Sequence, residues 1–283
     1  MDDATEGAEG RGMQAAREVS GAAERAKQSK AFQAVARCGW AANGLLHLLI
    51  GYIALRLAFG HAGEADQSGA VGQLAATPGG VVLLWAGLAA GAALALWQVS
   101  EAVFGGRRFE GRDRLKYRVK SAGLAVVFAL LAATFGSFAL GGGTDSGEKT
   151  QDASTALMQA PAGAVLLFLV GAGIAAAGVF YVVKGARGKF RDDLRQLPAG
   201  TLGRAVTWTG TAGYIGKGLA LVVLGILFAV AAVRHDPAQA TGLDGALKGL
   251  RDQPFGDAAL IVVALGLICY GLYLGARARY GKM

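Results

Sequence analysis

Three ionisable residues share one position of a repeating pattern in this sequence. Glu101, Lys184 and Arg277 each stand four residues after an aromatic residue: Trp97, Phe180 and Tyr273. A carboxylate set among two cations can form an ion-paired layer, which serves as a gate or as a vestibule facing anions. A second shared position holds Asn43, Lys120 and Lys217. Ionisable side chains inside apolar stretches are costly, so each is a functional hypothesis. The competing reading is plain topology: long basic side chains near helix ends carry their charge to the interface and only fix orientation. Glu101 distinguishes the two, being acidic in a basic belt. If the repeated units close around an axis, it is expected to pair with Lys184 or Arg277.

His47 lies about two turns into the first apolar run, where the other units have Leu124 and Leu221. An imidazole there relays protons or binds a metal. Its commoner role is a hydrogen bond to a neighbouring helix. His61 and His235 lie beyond the apolar runs, and no Cys stands at ligand spacing, so no metal site is expected. Cys38 and Cys269 lack Cys-x-x-Cys spacing and read as small apolar filler. The sequence has no GxSxG, HExxH or GxxxxGK[ST] pattern. We therefore expect no catalytic residue, no cofactor and no enzyme activity.

The elements that position these residues are long apolar runs. The chain is 53% hydrophobic and 17% charged, against about 25% charged in soluble domains. Six runs reach the ~20 residues needed to cross a bilayer. They are expected at about 37–59, 79–104, 119–140, 161–183, 208–233 and 255–275. Residues 1–36 form a polar tail with no signal-peptide core, able to carry an interfacial helix from about Met13 to Ala36. Between the runs, Gly69–Ala76 is expected as a short amphipathic turn, and GGGTDSGEKTQD and the stretch from Arg234 to Gln253 as loops.

The runs form three repeats. GWAANGLLHLLIG at Gly39 returns as GYIGKGLALVVLG at Gly213, and more weakly as KYRVKSAGLAVVF at Lys116. Leu74, Leu157 and Leu250 correspond, as do Pro78, Pro161 and Pro254, then Gly80, Gly163 and Gly256. Each unit is helix, short connection, Pro-x-Gly, helix. The units divide at 37–106, 107–187 and 188–279, with 280–283 as a tail. The fold class is all-α: six transmembrane helices as three tandem hairpins, an arrangement that suits a pseudo-threefold axis. Gly87 with Gly91, and Gly271 with Gly275, permit close helix contact.

Lys and Arg crowd the tail, the second-to-third and fourth-to-fifth connectors and the end of the chain. By the positive-inside rule both termini are cytoplasmic, in a multi-pass protein of the cell membrane. The formal charge of +8 then reflects topology and contact with anionic lipid headgroups, not nucleic acid.

These motifs resemble the bacterial membrane proteins grouped as domain of unknown function 1206, whose units open with small-aromatic-x-x-Lys/Arg-Gly and carry Pro-x-Gly before the second helix. Gly213-Tyr214 with Lys217-Gly218 matches the opening. Gly39-Trp40 with Asn43-Gly44 differs at the basic position, and Tyr117 with Lys120-Ser121 at the glycines. The resemblance implies a fold of three tandem two-helix units in a membrane, and no activity. The expected function is structural, lipid-interacting or partner-binding. The alternative is a small transporter or channel with a polar path between the repeats, though mid-membrane polar residues are few.

Overall fold

The computed structural model describes residues 30–103, 111–195 and 200–281, the first seven by backbone alone. Nine α-helices occur among the described residues: α1 (Lys30–Ala58), α2 (Gln67–Ala75), α3 (Gly80–Val103), α4 (Gly111–Ala139), α5 (Ser146–Gln159), α6 (Gly163–Ala186), α7 (Thr201–Arg234), α8 (Gly242–Arg251) and α9 (Gly256–Tyr280). Six of them, α1 (over Arg37–Ala58), α3, α4, α6, α7 and α9, are long and apolar enough to cross a membrane. At 1.5 Å per residue, α7 is about 50 Å long. That exceeds the ~30 Å hydrocarbon core, so its ends extend past the core.

Two of these helices start earlier than expected. α4 begins at Gly111 and α7 at Thr201: in α4 a basic stretch continues the helix, and in α7 the stretch TLGRAVT does. Arg, Leu and Lys are good helix formers. The expected interfacial helix at 13–36 falls outside the described residues except for its last seven, which run into α1 without a break. The stretches expected as loops are also largely helical. Asp145 caps α5 by accepting from the Gly147 and Glu148 amides at 2.7 and 3.1 Å. Asp66 caps α2 in the same manner, accepting from the Gly69 amide at 3.0 Å. A side-chain acceptor at this position satisfies amides the helix leaves open.

Pro-x-Gly is a turn between the short helix and the second span of each unit. The amides of Gly80, Gly163 and Gly256 donate to the carbonyls of Thr77, Ala160 and Gln253 at 2.9, 2.9 and 2.8 Å. Proline supplies the first corner, and the second corner has positive φ: Gly79 (80°), Ala162 (60°) and Phe255 (60°). This is the type II pattern, which favours glycine at the second corner. The closing glycine is sterically required: a Cβ there would lie 1.9, 1.8 or 2.3 Å from the carbonyl oxygen of Leu74, Leu157 or Leu250.

The two spans of a unit are not its main packing pair. Instead α3 packs along α4, α6 along α7 and α9 along α1, so the second span of each unit lies on the first span of the next, cyclically. α7 and α9 also pack together. Two interfaces share one register. A Cβ on Gly44 would lie 2.9 Å from the Gly271 carbonyl, and one on Gly218 would lie 2.6 Å from that of Gly178. Seven residues on, Gly51 meets the Ala264 carbonyl at 2.9 Å and Gly225 that of Gly171 at 2.6 Å. In the third interface Ser121 and Phe128 replace the glycines. There the close contacts are Gly136 against Leu88, Ala132 against Gly91 and Phe135 against Gly87. The cyclic pairing is thus kept in all three interfaces, and the glycine contacts in two.

A central apolar core joins Leu46, Ile50, Ile53 and Leu57 of α1 to Leu260, Val263 and Leu267 of α9, and to Ala220, Leu84 and Phe135. It lies toward the face that carries α2, α5 and α8, here the short-helix face. The opposite face carries the start of α4, the residues that follow α6 up to 195 and the end of α9, here the basic face.

Candidate functional site

The repeat position of Glu101, Lys184 and Arg277 is a position of contact between units. Each of the three meets the aromatic residue that opens the following first span. The Arg277 guanidinium lies 3.9 Å from the Trp40 ring centroid, and the Lys184 ammonium 5.2 Å from that of Tyr214. Glu101 instead accepts a hydrogen bond from the Tyr117 hydroxyl. The sign of the charge explains the difference. Cations are drawn to the negative face of an aromatic ring, whereas a carboxylate needs a donor.

Lys184 and Arg277 converge on one carboxylate, Asp193, at 2.8 and 3.3 Å. The Tyr214 hydroxyl donates to the same oxygen at 3.4 Å. The expected anion of this layer was Glu101, but the carboxylate beside the two cations is Asp193. It sits in a 3-10 turn, Lys189–Asp193, directly after α6. In the sequence this connector reads as a run of basic charge, in which its acids do not stand out. The turn is held in place: Phe190 is fully buried, the Tyr273 hydroxyl donates to the Phe190 carbonyl at 3.0 Å, and the Arg195 amide donates to the Tyr280 carbonyl at 2.8 Å. Gly210 leaves room for the Phe190 ring, which a Cβ would approach to 2.3 Å.

Beneath Asp193 lies a cluster of aromatic rings. Tyr214 is stacked between Phe190 and Tyr181, each 5.5 Å away by ring centroid. Tyr270 and Tyr273 present edges to it at 5.3 and 5.4 Å. Edge-to-face and offset arrangements suit the ring quadrupoles. Of these rings, only Tyr214 and Tyr273 stood out in the sequence, because they fall on repeat positions. Tyr181, Tyr270 and Phe190 do not.

The second predicted layer does not assemble. Lys120 is exposed on α4, while Asn43 and Lys217 are partly buried. Lys217 is enclosed by the aromatic cluster, its ammonium 4.4 Å from the Tyr270 centroid and 5.2 Å from that of Tyr181. His47 joins the same cluster from α1, 4.9 Å from Tyr270 and edge-on. Its Nδ1 donates to the Asn43 carbonyl at 2.9 Å, one turn back on its own helix. His47 and Lys217, which the sequence assigned separately, thus share Tyr270.

The short-helix face ties the three units together by polar contacts. The Ala65 amide donates to Asp244 at 2.7 Å, and the Ser146 amide to the Ser68 hydroxyl at 3.1 Å. Ser68 in turn donates to Asp66 at 2.6 Å. Burial raises the Asp66 carboxyl above the usual aspartate value, with the Ser68 hydroxyl and Gly69 amide opposing and the Asp244 charge adding. Glu64 is raised too, by partial desolvation and then by the charges of Asp145, Asp66 and Asp244, with Lys248 opposing.

Three tandem two-span units packed in cyclic order define a multi-pass, repeat-built membrane protein. The family described as Domain of Unknown Function (DUF1206) matches three times, at residues 38–105, 119–188 and 212–281, and the chain belongs to that family. The matched segments coincide with the three structural units. The chain is 31% identical over 253 residues to the uncharacterized protein YxxB of Bacillus subtilis (strain 168), covering 87% of this chain and 90% of that one. No solved structure matches the chain.

Proposed function

We propose that this is a non-catalytic membrane protein whose basic face, lying in the cytoplasm, engages acidic phospholipid. The carrying observation is the composition of the contact layer: Lys184 and Arg277 share the single carboxylate of Asp193, which leaves local positive charge between α6, α7 and α9. The helical connector residues Arg112, Arg114 and Arg118 add exposed positive charge at the same face. An anionic leaflet attracts such segments at about 1 kcal/mol per basic residue near the surface. The test is purification with native lipids and mass analysis of what remains bound. Wild-type protein is expected to retain acidic phospholipid, and Lys184→Gln/Arg277→Gln to lose it. Equal retention by both proteins would overturn the proposal.

A second reading, a small transporter or channel, is favoured by one observation: Lys217 and His47 lie deeper than the contact layer, against one shared ring. The dry core of Leu46, Ile50, Ala220 and Leu267 next to them argues against a continuous polar path. Solute flux in proteoliposomes that stops in Lys217→Met would favour this reading.

A further inference from the structure

Lys217 is a cation in the middle of a membrane helix, and its surroundings do not complete it. Its ammonium lies over the faces of Tyr270 and Tyr181. No described carboxylate lies within ion-pair distance of it. Ring faces stabilise the positive charge but offer no lone pair along the N–H directions, and an ammonium carries three donors. Asp193, the carboxylate of the neighbouring layer, is engaged by Lys184, Arg277 and the Tyr214 hydroxyl. The described residues thus leave the N–H donors of Lys217 open to an acceptor-rich group.

Access is one-sided. Ala220, one turn beyond Lys217, belongs to the apolar core with Leu46, Ile50 and Leu267. That core closes the site toward the short-helix face. Toward the basic face stand Lys184 and Arg277, whose positive charge favours the arrival of an anion. We propose that Lys217, flanked by Tyr181 and Tyr270 with His47 alongside, binds a phosphate group that enters from the basic face, carried by an acidic phospholipid or as free phosphate. This site is deeper than, and separate from, the lipid contact proposed for Lys184 and Arg277.

The test uses the full chain. Native mass spectrometry in phosphatidylcholine nanodiscs, with and without phosphatidylglycerol, reads the lipid source; binding of radiolabelled inorganic phosphate in detergent reads the free anion. Lys217→Met, which keeps the length of the side chain and removes its charge, is expected to weaken whichever ligand binds by at least tenfold, with Lys217→Arg close to wild type. Loss confined to phosphatidylglycerol identifies the lipid, and loss confined to inorganic phosphate the free anion. Unchanged binding of both in folded Lys217→Met overturns the site. Lipid lost in Lys184→Gln/Arg277→Gln, with both lipid and phosphate kept in Lys217→Met, leaves the rim proposal standing and sinks this one; the converse result does the opposite. If Lys217→Met does not fold, reductive methylation of wild-type Lys217 decides: protection by either ligand supports the site, and equal labelling with and without both ligands overturns it.

Discussion

Gly178 and Gly218 face each other across the α6–α7 interface with no room for a methyl group on either. A Cβ on Gly178 would lie 2.7 Å from the Gly218 carbonyl oxygen, and one on Gly218 2.6 Å from that of Gly178. Gly44 and Gly271 repeat the relationship between α1 and α9. Backbone approach of this kind replaces the hydrophobic driving force that helices lack in lipid.

Gly218→Ala and Gly44→Ala should each destabilise the protein by about 1–3 kcal/mol, since overpacking forces the helices apart. Gly39→Ala and Gly123→Ala, where an added Cβ meets nothing within 4 Å, should be neutral or slightly stabilising. Thermal unfolding of the four variants in one detergent checks the contrast.

Ala162 and Phe255 hold the left-handed corner that Gly79 occupies in the first unit. Ala162→Gly should therefore raise the unfolding midpoint, by up to about 1 kcal/mol of stability, because relief of the left-handed backbone outweighs the added chain entropy. Gly163→Ala places a Cβ 1.8 Å from the Leu157 carbonyl and should lower expression and the unfolding midpoint sharply.

Removing the charge of Asp193 should be costly because it strands two cations. Asp193→Asn is expected to destabilise by about 1.5–3 kcal/mol, the range for hydrogen bonds to charged groups. Much of the loss should be absent in the Lys184→Gln/Arg277→Gln background. A thermodynamic cycle over these variants measures the coupling, and strict additivity would contradict the shared carboxylate.

The Asp66 carboxyl is raised in the folded protein, so the folded state holds its proton more tightly than the unfolded one. Stability from this group is full below the ordinary aspartate pKa and is lost as pH rises through that value toward the raised one. Unfolding midpoints should fall as pH rises above about 4, the ordinary aspartate pKa, with Glu64 contributing in the same direction. Asp66→Asn keeps an acceptor for the Gly69 amide and the Ser68 hydroxyl and should flatten the profile.

The repeat made much of this architecture legible. Pro-x-Gly, the recurring leucine and the aromatic four residues before the charged position all mark features that every unit must form. The turn, the glycine contacts and the aromatic–charge pairs are their structural counterparts. What could not be read lies outside the repeat register. Asp193, Phe190, Tyr181 and Tyr270 have no equivalents, and their meeting depends on which helices touch. Similarity between units tells which residues are alike but not that α9 returns to α1 or that α6 lies on α7. The loss of the glycine contacts between α3 and α4 was likewise hidden, although its cause, Ser121 and Phe128 in place of glycine, is visible once the pairing is known.

The exchanged pairing of spans has a consequence for biogenesis. When the first hairpin leaves the insertion machinery, neither of its spans has its main partner. α3 waits for α4, and α1 waits until α9, the last span to be made. The Gly44 and Gly51 surface of α1 therefore stays open to lipid, or to any chaperone that shields it, throughout synthesis. Assembly of the six spans is completed only by α9, and a product truncated before it should be recognised as unfinished by membrane quality control even though the other five are inserted.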